Sequence, residues 1–279
     1  IDVLGSTLWS MAVVHVYEGR LRVESAALHP ERESRLGRDP AGDIYLCWNP
    51  AYPYSRTQRL MAAWLASDYV ADTVSGSSGV LGTATERQGW DLRVIPALNY
   101  YGFKITDPDS EETKNKCVLI SGMHAAETMG RFLLEGLINF LLSDDAVAVT
   151  LRTWFEFYVY PCISAQGIYG GYSKTQPESW DVDPNRQWNT PGALENVDAF
   201  KSAIVADTGG SVEAFFDFHG SAGGATAEYA MTLDKTSKGH PAFEAAMKTL
   251  DVNWNMVETA IENSSRDWAE STLDGGSMV

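Results

Sequence analysis

Two segments of the chain bring together residue types that can hold a metal ion. The first, Ile120-Ser121-Gly122-Met123-His124-Ala125-Ala126-Glu127, carries H-x-x-E at an expected junction of strand and helix. Residues three apart at a helix start share a face, so the imidazole of His124 and the carboxylate of Glu127 can converge on one ion. The second, Phe215-Phe216-Asp217-Phe218-His219-Gly220, offers His219 at another strand end. Open α/β sheets bind ligands beyond the carboxyl ends of their strands, which is where both histidines fall. Two imidazoles and a carboxylate suit zinc, which in catalytic sites takes three protein ligands and keeps a fourth position open. Asp217, two residues before His219, can orient that ring from behind. The residues alone leave a second reading open, in which the histidine is an interface group satisfied by its neighbours and the glutamate caps a helix. His15, His29 and His240 lie in a β-rich opening or a polar stretch and read as surface or structural groups.

Rigid elements must carry these side chains. Cys117 to Ile120 is a short apolar run of buried-strand type, and Glu127 to Leu142 has strong helical periodicity. Phe155 to Tyr160 reads as a strand stopped by Pro161, Asn196 to Ala206 as a helix, Val212 to Phe218 as a strand and Phe243 to Leu250 as a helix. Upstream, Ser55 is a candidate N-cap for a helix with Leu60, Met61, Trp64 and Leu65 at helical spacing. Leu92 to Leu98 reads as a strand in which Pro96 marks an edge or bulge, and Thr106 to Lys116 as a charged loop. Alternating strands and helices predict an α/β domain with a mixed, mostly parallel sheet. The first 50 residues differ. Leu8 to Tyr17, Leu21 to Glu24 and Asp43 to Trp48 read as strands, with a turn at Glu18-Gly19 and a loop from His29 to Gly42. The expected organisation is a β extension over 1–50 and an α/β domain over 51–279.

Composition narrows the partners. The chain has 279 residues, 44% of them hydrophobic and 21% charged, which is a globular composition. Its net charge of −16 disfavours binding to phosphate backbones and to anionic membrane surfaces. No apolar run approaches the ~20 residues of a membrane helix. Three cysteines, Cys47, Cys117 and Cys162, are far apart and read as buried free thiols rather than a disulfide framework. The chain opens at Ile1 rather than Met, as a fragment or processed form would, so the compartment is not readable from its start; the cytoplasm is slightly favoured.

In order along the chain, further motifs resemble those of the zinc carboxypeptidases, closest to the cytosolic carboxypeptidase-like branch. Ala51-Tyr52-Pro53-Tyr54-Ser55 is similar to the Y-P-Y-(S/T) junction of that branch, and Gly122 to Thr128 to its metal-binding segment. Phe140-Leu141-Leu142-Ser143 followed by Leu151-Arg152 resembles F-L-x-S…L-R. Asp183-Pro184-Asn185-Arg186-Gln187-Trp188 resembles D-L-N-R-Q-W, Asp217-Phe218-His219-Gly220 resembles D-F-H-G, and Glu270-Ser271-Thr272-Leu273 resembles an E-S-T-L strand. The resemblance implies helices on both faces of the sheet and a metallocarboxypeptidase that hydrolyses the C-terminal peptide or isopeptide bond of peptides or proteins. It implies one Zn²⁺ per chain held by His124, Glu127 and His219. It assigns Asn185 and Arg186 to the substrate's terminal carboxylate, a role that suits the planar fork of arginine. Glu270 would be the general base on water and then the acid to the leaving amine.

The chain departs from that pattern in three places. The family's N-P-D-G turn is replaced by Ile163-Ser164-Ala165-Gln166-Gly167. Counting on from Gly167 without a gap puts Lys174 where an arginine polarises the scissile carbonyl; lysine keeps the charge and lacks the fork. Glu270 follows His219 by 51 residues, a short interval, and a base beyond Val279 in a longer chain is the alternative. Arg152, Lys174 and Arg186 are candidates for a local basic pocket. Two other readings remain: a zinc N-acyl-amino-acid amidohydrolase resembling aspartoacylase and succinylglutamate desuccinylase, and an inactive binding domain on the same scaffold.

Overall fold

β-branched and apolar residues in the opening segment form two short antiparallel ladders. Strands β1 (Ala12–Tyr17) and β2 (Arg20–Ser25) pair with Val14 opposite Val23 and Val16 opposite Leu21. Strands β3 (Gly37–Arg38) and β4 (Ile44–Tyr45) form the second ladder. The computed structural model describes residues 51–73, 76–90, 92–172, 174, 177, 182–192, 194–220, 245–249 and 264–273 in full, and the backbone of β1 to β4 and of residues 277–278. The expected turn at Glu18-Gly19, most of the His29–Gly42 loop, His240 and Cys47 lie outside the described residues, and His15 is described only by its backbone. The chain divides into two units, Ile1–Trp48 and Asn49–Val279.

The second unit is built on a strand that is apolar on both sides. In β11 (Asn115–Ser121) five consecutive residues, Cys117 to Ser121, are buried. A run of that kind fits the middle of a parallel sheet covered on both faces. It pairs in parallel with β12 (Phe155–Tyr160) and with β13 (Ala214–Phe218). The sheet continues outward from β13 to β14 (Ser277–Met278), and from β12 to β10 (Phe103–Ile105) and β5 (Val70–Ala71), the last two running antiparallel to their neighbours. The mixed, mostly parallel sheet of an α/β fold is the expected one. Shorter ladders join β6 (Val80–Thr83) to β9 (Asn99–Tyr101) and β7 (Arg87–Gln88) to β8 (Val94–Ile95).

Helices supply the cover. Helix α2 (Thr128–Leu141) buries Gly130, Leu134, Ile138 and Leu141, one stripe at helical spacing, and packs on β11 and β13. Helix α5 (Glu195–Thr208) buries Val197, Phe200 and Ile204 and packs on β12. Helix α1 (Tyr54–Trp64) is tied to α2 by a two-pronged ion pair from Arg56 to Glu135 and by Trp64 Nε1 donating to Asn139 Oδ1 at 2.9 Å. No helix among the described residues is long and apolar enough to cross a membrane.

Several elements differ from the sequence expectation. Ser55 is not the N-cap of α1; Pro53 holds that position without a side-chain hydrogen bond, and its fixed φ starts the helix two residues earlier. The strand expected over Leu92–Leu98 shrinks to Val94–Ile95, because Pro96 has no N–H to continue a ladder. Helix α3 (Ala146–Trp154) had no counterpart in the pattern; its β-branched residues weaken the helical signal, and Asp145 overrides them by accepting from Val147 N at 2.8 Å. Ile163 to Gly167, in place of the family turn, enters helix α4 (Ala165–Gly170), where Gln166 Nε2 donates to Thr85 O and Pro96 O. The expected strand at Glu270–Leu273 is the end of a helix, α6 (Ser265–Thr272), capped by Ser264 accepting from Asp267 N. That cap, with Asp267 in the first turn, favours helix over the β-type reading of the terminal Ser-Thr-Leu.

Candidate metal centre

β11 and β13 are hydrogen-bonded neighbours in register, Ile120 opposite Asp217 and Ser121 opposite Phe218, so their ends deliver the two motifs side by side. After Ser121 the chain turns through Gly122, whose φ of +73° falls in the left-handed region that favours glycine. The turn leads into His124 and on to Glu127 at the start of α2. The second close approach is at Gly130: a Cβ there would lie 2.2 Å from the carbonyl oxygen of Phe218 and 2.8 Å from that of His219. Only a residue without a side chain lets α2 sit against the end of β13, and that contact closes the gap between Glu127 and His219.

The ligand atoms of His124, Glu127 and His219 all lie within 4.8 Å of one another. Both rings turn Nδ1 toward one carboxylate: His124 Nδ1 is 2.9 Å from Glu127 Oε1, and His219 Nδ1 is 2.9 Å from Oε2. Gly220 N donates to the same Oε2 at 3.1 Å. Both rings are held from behind at Nε2, His124 by Asp183 Oδ1 at 2.8 Å and His219 by Asp217 Oδ2 at 2.9 Å. His124 and Glu127 are buried.

The acid–base state follows from this arrangement. Burial opposes charge on His219, but Asp217 and Glu127 outweigh it and raise the ring to about 10. His124 is raised in the same way, burial being outweighed by Asp183 and Glu127. Burial also opposes the charge on Glu127, and the hydrogen bonds from both rings hold its carboxyl far below the usual range. Each 2.9 Å contact between Nδ1 and a carboxylate oxygen therefore contains a proton. Exchanging those two protons for one divalent cation leaves the charge of the site unchanged and frees a lone pair on each Nδ1. The donor set, two imidazoles and one carboxylate with both rings oriented by further carboxylates, could hold a metal ion and suits zinc.

The remaining expected residues fall at different distances from this cluster. Asn185 is buried, its Oδ1 accepts from Ser265 N at 3.1 Å, and its Nδ2 is 3.4 Å from His219 Nε2. Arg186 is exposed beside it and lies 3.9 Å from Asp183 Oδ2. Lys174 is exposed. Arg152 is no part of a substrate pocket: it is buried at the α2–α3 corner, donates to the carbonyls of Leu141 and Ser143, and stacks 3.6 Å over Tyr69. Glu270 lies on a helix rather than on the expected strand. On α6 it stands five residues, about 140° of helical turn, past the buried Ser265, and it is exposed, 3.6 Å from Arg266.

Two supporting residues escaped the sequence reading. Asp183 was visible only as the first letter of D-x-N-R, yet it holds His124. Arg131, one turn into α2, donates to Ala125 O and Tyr52 O at 2.7 Å each, tying the Tyr52-Pro53-Tyr54 junction to the loop that carries His124. An arginine at a buried helical position was the available signal.

This fold is similar to that of solved metallo-carboxypeptidases. The zinc carboxypeptidase family profile matches residues 98–211, a span that includes His124, Glu127, Asn185 and Arg186 and stops before His219. The curated relatives belong to the cytosolic branch. Human cytosolic carboxypeptidase 6 is 31% identical over 123 residues, 41% of this chain and 24% of that protein. Human cytosolic carboxypeptidase 4 is 24% identical over 192 residues, 63% of this chain and 16% of that protein. The chain thus spans a quarter or less of these relatives. A metallo-carboxypeptidase from Burkholderia cenocepacia has the same fold, with a TM-score of 0.62 at 20% identity over 93% of this chain and 64% of that one. The chain is similar to the zinc carboxypeptidases over the matched residues, and the curated relatives it matches are cytosolic carboxypeptidases.

Proposed function

We propose that the chain hydrolyses the C-terminal peptide bond of peptides or proteins, with one Zn²⁺ held by His124, Glu127 and His219. The observation that carries this reading is the convergence of three donor atoms within 4.8 Å, with both imidazoles oriented by aspartates. Zinc supplies a Lewis acid that polarises a carbonyl and lowers the pKa of water. The protein's own groups do the rest. Asp183 and Asp217 keep the Nε2 protons and so direct both Nδ1 lone pairs inward. Asn185, with its Nδ2 turned toward His219, and Arg186, exposed at the rim, receive the terminal carboxylate of the substrate. Lys174 is the cation assigned to the scissile carbonyl. The names of the relatives favour the peptidase over the acylase reading and propose the cytoplasm as the compartment.

The exposed, outward position of Glu270 favours one second reading, a domain that binds zinc and peptide C-termini without turnover. Incubation of the zinc-loaded chain with a peptide bearing a free C-terminus, and with the same peptide amidated, separates the two. Release of the terminal residue from the free peptide alone, abolished by a chelator, is the expected result. Binding of the free peptide with no release supports the second reading, and equal cleavage of both peptides rejects the exopeptidase.

A further inference from the structure

The start of α6 meets the cluster at one residue. Ser265 is 2% exposed. Its hydroxyl donates to Asp217 Oδ2, the same oxygen that accepts from His219 Nε2. Its backbone N–H donates to Asn185 Oδ1. The other oxygen of Asp217, Oδ1, is buried without a hydrogen-bond partner among the described residues. Among the described residues, both donors that hold this carboxylate therefore converge on Oδ2, and one of them is Ser265.

We infer that Ser265 is a positioning residue that sets the metal-binding face of His219 through Asp217 and the orientation of the Asn185 amide. The two bonds act on different parts of the site. With the serine hydroxyl on Oδ2, Asp217 cannot rotate toward its unpartnered oxygen without losing a charge-assisted bond. The carboxylate thus stays in line with Nε2, and Nδ1 stays turned toward Glu127. The Ser265 N–H engages Asn185 at its oxygen, which leaves the amide's NH₂ on the His219 side, where an anionic substrate group would be met. The N-terminus of α6 carries partial positive charge, which suits the Asp217 carboxylate beside it. The start of α6 thus links the metal ligand to the substrate clamp, although none of its atoms is itself a ligand.

This inference rests on the metal centre proposed above. The test is the Zn²⁺ affinity of the full chain, measured by competition with a chromophoric chelator, in a double-mutant cycle of Ser265→Ala with Asp217→Asn. Ser265→Ala should weaken Zn²⁺ binding by about ten-fold or more in the parent, the range seen when supporting groups are removed from metal ligands. In the Asp217→Asn background the same change should cost less than about two-fold, because the route through Asp217 is already gone. Ser265→Thr, which keeps the hydroxyl, should restore affinity, whereas the isosteric Ser265→Val should behave like Ser265→Ala; this pair carries the comparison if the alanine variant does not fold. Unchanged affinity in Ser265→Ala, or an equal loss in both backgrounds, overturns the inference and leaves the metal centre standing. A parent chain that binds no Zn²⁺ overturns both.

Discussion

Gly130 and Phe218 touch backbone to backbone, so closely that a Cβ on Gly130 would sit 2.2 Å from the Phe218 carbonyl oxygen. One residue on, that strand end presents His219, and three residues back, α2 presents Glu127. Gly130→Ala therefore has to push α2 off the strand, since the obstruction is backbone. Overpacking of this kind costs about 1–3 kcal/mol. Thermal unfolding should show that loss, and Zn²⁺ affinity should fall with it because Glu127 and His219 move apart. Unchanged stability and affinity would contradict the contact.

Arg186 projects beside Asn185 at the edge of the cluster. Losing a charged hydrogen-bonding group costs about 1.5–3 kcal/mol. Arg186→Ala should lower kcat/KM on a peptide with a free C-terminus by roughly ten- to hundred-fold. Its activity on the amidated peptide should not change. Equal losses on both substrates would remove Arg186 from carboxylate recognition.

For Glu270 the outward position gives a definite expectation. Glu270→Gln should alter kcat by less than about three-fold, against the roughly 10²–10⁴-fold contributed by a general base. A loss in the larger range, with zinc retained, would mean that α6 rearranges when substrate binds.

The ion pair between α1 and α2 makes a pH prediction. Hydrogen bonds from Arg56 hold the Glu135 carboxyl below its ordinary value of 4.5, with burial opposing. A lowered folded-state pKa adds stability that is complete above the ordinary value and is lost as pH falls through the lowered one. The Arg56 side chain is 36% exposed, so the contribution is about 0.5–1 kcal/mol. The stability gap between the parent and Glu135→Gln should be full at neutral pH and should close below 4.5. A gap that is constant down to acid unfolding would exclude the ion pair as its cause.

Burial pushes the thiols of Cys117 and Cys162 up to about 12. At pH 8 roughly one in ten thousand of each would be thiolate, the reactive form. In a Cys47→Ser background, a disulfide reagent should label neither thiol in the native chain and both in denaturant. Prompt native labelling would place one of them at the surface.

What could be read along the chain was local or periodic. β11 was legible because an uninterrupted apolar run has few homes other than a buried parallel strand, and α2 because its apolar residues repeat at helical spacing. His124, Glu127 and His219 stood out because each follows an expected strand, and D-x-H already suggested that Asp217 holds His219. The tertiary structure decided the rest, for reasons no linear pattern carries. Asp183 reaches His124 across 59 residues, and Ser265 reaches Asp217 across 48. Such hydrogen bonds depend on which strands are neighbours and how closely a helix can approach them, and Gly130 sets that approach. Arg152 had the right charge in sequence but is buried. Its Nη1 donates to the carbonyls of Leu141 and Ser143 at the α2–α3 corner. A serine cap turned the expected Glu270 strand into a helix that faces the glutamate outward. Residue type limited what each group could do, and the packing of α2 and α6 on the ends of β11 and β13 determined which groups meet.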